Sequence, residues 1–189
     1  MIIRKATLDD VEGIFEVYKE SARAYPESLT QYEDELTFDY IESEVRNALE
    51  RGLMLVAVDD GNKIVGSFKA YTSKYRKLAH VLANTTFTSL PTFEGKKGFV
   101  LLLKNFLEYI QSNYSHIYKL EGVPHESNTE LLKFYTKNQI SIETEIRDKV
   151  FSARKNSFEK EIVVYWLNPN FSMESLKKYQ EYLGTLSKV

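Results

Sequence analysis

Cysteine is absent from the 189 residues, so the chain has no disulfide, no thiolate metal ligand and no cysteine nucleophile. That excludes a disulfide-stapled secreted domain and fits a reducing cytoplasm. There are only four prolines and eight glycines, and neither a repeat, a low-complexity tract nor a linker interrupts the pattern. A chain of this length is then expected to fold as one domain around one core. No apolar run approaches the length of a membrane span. The start, Met-Ile-Ile-Arg-Lys, leads into a polar helix signal rather than a signal-peptide core, so a soluble, unprocessed cytoplasmic protein is expected. Charge of one sign is lacking too: 25 Lys and Arg against 27 Asp and Glu leave a net charge of -2. Neither nucleic acid nor anionic lipid is attracted globally, and any phosphate site must be local. The three histidines, His80, His116 and His125, are scattered without an H-E-x-x-H spacing, which gives no metal site.

What is present is a regular alternation of strand and helix patterns. Residues Ile2 to Ala6 read as a strand, and Thr7 with Asp10 three positions later as a helix cap, before Val11, Ile14, Phe15 and Tyr18 recur at helical spacing. A second helix is expected from Glu33 to Arg51, with Phe38, Ile41, Val45 and Leu49 as its buried stripe and Gly52 as its cap. Leu53 to Val58 and Lys63 to Tyr71 flank the turn residues Asp59-Asp60-Gly61-Asn62, which is hairpin chemistry. A strand from Leu78 to Leu90, a loop, and an apolar helix from Phe99 to Asn113 follow. Next come a strand from Ile117 to Val123 and a helix from Thr129 to Lys137, capped by Ser127 or Asn128 and closed by a left-handed Asn138. Two strands, Ile140 to Phe151 and Phe158 to Leu167, form a long hairpin, and Ser172 to Leu186 carries Leu176, Tyr179, Leu183 and Leu186 on a narrow stripe.

The stretch Glu94-Gly95-Lys96-Lys97-Gly98 joins a strand to a helix. Successive backbone N–H groups in such a turn, running into a helix N-terminus, make a concave anion site suited to a pyrophosphate. Glycine lets the backbone come close, and Lys96 and Lys97 add positive charge.

The order of elements is α/β with a largely antiparallel sheet. Over Met1 to Leu167 the chain resembles the GNAT acetyltransferase superfamily. Three stretches carry the resemblance: Thr85 to Leu103, the hairpin Leu55-Val56-Ala57-Val58 to Ile64-Val65-Gly66, and Val123 with Asn128 and Phe134-Tyr135. It implies a twisted sheet of about seven strands flanked by helices, a domain of residues 1–167, and a helical extension of residues 168–189 packed on that domain or on a partner. It further implies direct acetyl transfer from acetyl-CoA, without metal, to a primary amine of a small molecule or peptide. The family's loop pattern Q/R-x-x-G-x-G/A fits in two registers. One places its inner glycine at Gly98, with Gly95 at the Q/R position and Val100 last; the ungapped one puts Lys97 and Phe99 where glycines belong. By resemblance, Gly95, Lys96, Lys97, Gly98, Phe99 and Val100 hold the cofactor phosphates, and Asn128 contacts the pantetheine arm. A backbone N–H near Thr88 to Leu90 polarises the thioester, and Tyr135 lies near the sulfur as general acid.

The base is not marked. Val81 to Leu90 contains no Asp or Glu; His80 opens that strand, Glu121 lies on its neighbour, and His125 lies in the loop before Asn128. The insert from Ala24 to Arg51 falls where the resemblance puts the acceptor wall, and its Glu27, Glu33, Asp34 and Glu35 can attract a cationic amine. A GNAT-shaped binding or regulatory module without acyl transfer is the alternative reading, and the state is either monomer or homodimer.

Overall fold

The structure is a computed structural model describing residues 1–93, 95–138 and 140–186, without the side chains of Lys96, Glu130 and Leu186. Glu94 of the expected phosphate loop, the Lys96 side chain and Leu186 of the terminal stripe lie outside the described residues. The chain runs β1 (Ile2–Lys5), α1 (Val11–Ala24), α2 (Phe38–Arg51), β2 (Gly52–Val58), β3 (Ile64–Thr72), β4 (Val81–Ser89) and α3 (Gly95–Asn113). It continues β5 (Lys119–Gly122), α4 (Thr129–Lys137), β6 (Ser141–Ser152), β7 (Ser157–Leu167) and α5 (Met173–Leu186). The seven strands form one sheet in the order β1-β2-β3-β4-β5-β7-β6, and every neighbouring pair is antiparallel except β4 with β5.

Local chemistry explains most boundaries. The Thr7 N–H donates to Asp10 Oδ2 (2.8 Å), closing the expected capping box, and Arg4 clasps the same carboxylate through two bonds of 2.7 Å. The Asp59 carboxylate accepts from Gly61 N and Lys63 N (both 2.9 Å), and Asn62 takes φ 61°, which turns the β2–β3 hairpin. β2 is buried along almost its whole length because helices cover both faces of the sheet there.

Four expectations shift. The second helix begins at Phe38 rather than Glu33, since Leu36 is extended and Thr37 caps it by accepting from Tyr40 N (3.2 Å). Phe38 leaves the expected stripe and stays exposed, edge-on to Phe15. β4 begins at Val81, after a short turn over Arg76–Leu78. Asn138 ends α4 at φ -123°, not in the left-handed region.

The terminal helix α5 packs on its own chain. Leu176 is buried, Ser175 Oγ meets Ser115 Oγ (2.9 Å), and Gln180 Nε2 donates to Arg76 O (2.8 Å). Tyr179 covers the His116 ring at 3.9 Å between centroids, and burial pulls the His116 imidazole down to about 4. An imidazole depressed in the folded state gives stability that is complete above its unfolded value and is lost as pH falls from about 6.5 to about 4. The expected loss, discounted for partial solvent screening, is about 1–2 kcal/mol. Urea titrations at pH 7 and pH 4.5 test it, and His116→Phe should flatten the difference. Among the described residues no helix is long and apolar enough to cross a membrane.

Candidate active site

β4 and β5 pair only at Val81 with Lys119 and at Leu82 with Leu120. β4 then runs on to Ser89 and β5 to Gly122 without further pairing, so a gap opens through the sheet. The departure coincides with a bulge: Lys69 pairs with Thr86 but Tyr71 with Ala83, and Asn84 takes φ 53°.

Strand alternation sorts the walls of this gap into two faces. Phe68 of β3 meets Phe99 and Phe106 of α3 (centroids 6.2 and 4.8 Å), while Lys69 and Tyr71 reach Glu44 of α2. The paired row Thr72, Leu82, Leu120 and Trp166 continues the α3 face into β7. Tyr165 and Glu161 of β7 therefore share the α1–α2 face. A cleft of about 340 Å³ runs through the gap and touches both faces.

The α3 face of the cleft is apolar. Phe99 is its hub, packed edge-to-face on Phe87 (5.1 Å), Phe134 (5.8 Å) and Tyr135 (6.0 Å). Tyr135 is buried, and its hydroxyl makes no hydrogen bond to a described residue. Desolvation raises its phenol well above the ordinary range, so it remains protonated at physiological pH.

The α1–α2 face is polar. Lys69, 2% exposed, pairs with Glu44 and donates to Asn84 O (3.1 Å), and Tyr71 Oη donates to the other Glu44 oxygen (2.9 Å). Burial pulls the Lys69 ammonium below its ordinary range, and the Glu44 charge and hydrogen bond work against that. Tyr40 accepts from Gln31 Nε2 (3.1 Å), and desolvation, with the Glu44 charge, pushes its phenol to about 12. Sequence reasoning missed Lys69, Glu44, Gln31 and Tyr40. The one available signal was a lysine inside an otherwise apolar strand.

The expected phosphate loop is helix from Gly95 onward, so α3 starts four residues before the Phe99 start read from the sequence. The first turn of α3 is made by Gly95, Lys96 and Lys97, the positions whose N–H groups a helix cannot satisfy from within itself. Gly98 points inward instead: a Cβ there would lie 2.6 Å from the Phe93 ring, and a Cβ on Gly66 of β3 would lie 2.6 Å from the same ring. Phe93 is wedged between two glycines, so Gly98 serves packing. Gly98→Ala is expected to cost about 1–3 kcal/mol by overpacking, read as a lowered thermal midpoint. Phe99 forms cleft wall, and Val100 is half-buried against the core.

On the strand before that turn, the amides of Thr88 and Leu90 are taken up by the sheet. Leu90 N–H donates to Val65 O (2.9 Å), and Thr88 pairs with Ser67 in the same ladder, where their hydroxyls meet at 2.8 Å. Because amide direction alternates along a strand, the N–H groups turned toward the gap belong to Phe87 and Ser89. Asn128 caps α4, accepting from Leu131 N (3.3 Å), and also lines the cleft.

Of Glu27, Glu33, Asp34 and Glu35, the residues expected to attract the amine, Glu27 lines the cleft. Glu33 is tied to Arg23 (2.7 Å), and Glu35 accepts from Tyr32 N (2.9 Å). Glu121 lines the cleft but pairs with Lys119 (2.8 Å). Among the described residues no acidic, histidine or cysteine cluster suits a metal ion.

No protein-family model and no curated protein sequence matches the chain. Solved structures do match. An acetyltransferase of the GNAT family from Streptococcus pneumoniae superposes with a TM-score of 0.74 at 16% identity, over 88% of this chain and 98% of that one. A putative acetyltransferase from Salmonella typhimurium, solved with its cofactor acetyl-CoA, gives 0.76 at 11% identity, over 91% and 96%. A GNAT phosphinothricin acetyltransferase from Sinorhizobium meliloti in complex with acetyl-CoA gives 0.71 at 12% identity, over 90% of each chain. The chain has the GNAT fold. Among the described residues, a seven-stranded open sheet, five α-helices and the parted β4–β5 pair give that fold its cleft.

Proposed function

We propose that the protein transfers an acetyl group from acetyl-CoA to a primary amine of a small molecule or peptide, by direct attack within a ternary complex. The observation that carries this reading is the parted β4–β5 pair, whose gap has an apolar wall on one face of the sheet and a polar wall on the other. Acetyl-CoA enters from the α3 side, with its pyrophosphate at the first turn of α3 and its pantetheine arm along Phe87, Phe99 and Asn128. The amine approaches from the α1–α2 side.

Each group then has a physical task. The gap-facing N–H groups of Phe87 and Ser89 are donors already aimed where the thioester oxygen gains negative charge, and fixed donors stabilise that charge without reorganisation. The amine nitrogen attacks the carbonyl carbon, the C–S bond breaks, and the thiolate departs. Tyr135 serves the leaving sulfur as a hydrogen-bond donor. A phenol raised above the range of a thiol holds the thiolate rather than surrendering its proton for good, so the net proton reaching sulfur originates on the attacking nitrogen.

Calorimetric titration with CoA, followed by thiol release from acetyl-CoA across a panel of primary amines, tests this. Binding with amine-dependent thiol release is expected. Binding without turnover on any amine would favour the binding-module alternative, and neither binding nor turnover would remove the acyl-transfer reading altogether.

A further inference from the structure

The acetyl-transfer reading leaves one proton without a destination. An amine acceptor arrives as an ammonium and must lose a proton before its nitrogen can attack. The carboxylates lining the cleft are already engaged: Glu44 by Lys69 and Tyr71, Glu121 by Lys119, and Glu27 by the Arg154 N–H (3.2 Å).

His125 is different. It lines the cleft, is buried, and its ring makes no hydrogen bond to a described residue. The other two histidines are outside the cleft wall. His125 forms an isolated antiparallel bridge with Glu161 of β7, fixed on both sides by Ile162 N to Pro124 O (2.9 Å) and Glu126 N to Lys160 O (3.0 Å). Bridged residues share a face of the sheet, so His125 stands on the α1–α2 face, opposite the side occupied by Tyr135.

Two positions along β7, on that same face, lies Glu159. It is 3% exposed, pairs with Lys155 (2.6 Å), and borders the cavity next to the cleft with Ser127 and Asn128. Burial pushes the Glu159 carboxyl up, but the neighbouring Lys155 and Ser127 outweigh it and hold it below the usual carboxylate range. Glu159 is thus the carboxylate diagonal to His125 across the bridge to β7.

We propose that His125 is the general base for the acceptor amine and that Glu159 is its positioning carboxylate. The proposal rests on the acetyl-transfer reading. An imidazole nitrogen takes one proton from the acceptor ammonium, the freed amine nitrogen bonds to the thioester carbon, and the C–S bond breaks. The nitrogen's second proton passes to the thiolate by way of Tyr135 or water, and the imidazolium returns its proton to solvent. Base and sulfur partner thus stand on opposite faces of the sheet, one on each side of the carbonyl.

Wild-type turnover with the best amine of the panel tests acetyl transfer itself; the ratio of variant to wild type tests His125. His125→Ala and His125→Gln are each expected to lower kcat by about 10²–10⁴-fold while CoA affinity and thermal midpoint stay near wild type. Glutamine can still form a hydrogen bond but cannot take a proton, so its loss of rate separates proton transfer from packing. Glu159→Gln is expected to lower kcat by about tenfold or more with acetyl-CoA affinity kept. Wild-type kcat in His125→Gln overturns the proposal, and so does a loss of CoA binding that accounts for the lost rate. Wild-type kcat in Glu159→Gln removes Glu159 from it.

Discussion

Glu44→Ala is expected to destabilise the protein by about 3–5 kcal/mol, read as a lower midpoint in urea. The cause is the partner left behind. Lys69 is 2% exposed on a central strand, and without the carboxylate its ammonium has one acceptor, the Asn84 carbonyl at 3.1 Å. Tyr71 loses its acceptor in the same step. The folded variant responds by shedding the Lys69 proton, which the unfolded chain keeps, so its stability should rise with pH in the alkaline range. Combining Glu44→Leu with Lys69→Met removes both charges together and is expected to recover most of the loss, because a buried ion pair replaced by apolar groups of similar size is often neutral. The single variant should also weaken acetyl-CoA binding, since Lys69 holds the carbonyl of the left-handed residue at which β4 bends away from β5.

Tyr135→Phe is expected to lower kcat about 10²-fold or more while leaving acetyl-CoA affinity nearly unchanged. The substitution removes one oxygen that has no hydrogen-bond partner among the described residues, and the ring keeps its contacts with Phe99 and Phe134 at 6.0 and 6.2 Å. Stability should therefore hold, and a fall in rate reports the hydroxyl alone. Single-turnover thiol release with saturating acetyl-CoA is the measurement. An unchanged rate would take Tyr135 out of the chemistry.

Local signals in the sequence were reliable where the chemistry is local. The Thr7–Asp10 cap, the Asp59 turn and the cap at Asn128 each depend on residues within four positions, and each forms. The long β6–β7 hairpin also forms, because its alternation is carried by the strands themselves. Reading weakened where a distant partner decides. At Gly98 the spacing alone does not show that Phe93 and Gly66 share its space. Glu44 carries no local signal, since only folding brings Lys69, 25 positions away, against it. His125 was visible as a residue of the loop before α4. Its face of the sheet depends on a single bridge to β7, which spacing alone does not reveal.

The two residue pairs that join β4 to β5 also have a mechanical consequence. The half-sheet β1-β2-β3-β4 and the half-sheet β5-β7-β6 meet at Val81–Lys119 and Leu82–Leu120, and α5 crosses their closed end from the Arg76 turn to Ser115 and His116. The arrangement is that of a clothes-peg: a short pivot, a clasp behind it, and two jaws in front. The far ends of β4 and β5 are therefore the least constrained part of the sheet, and the C-terminal helix braces the end opposite to them.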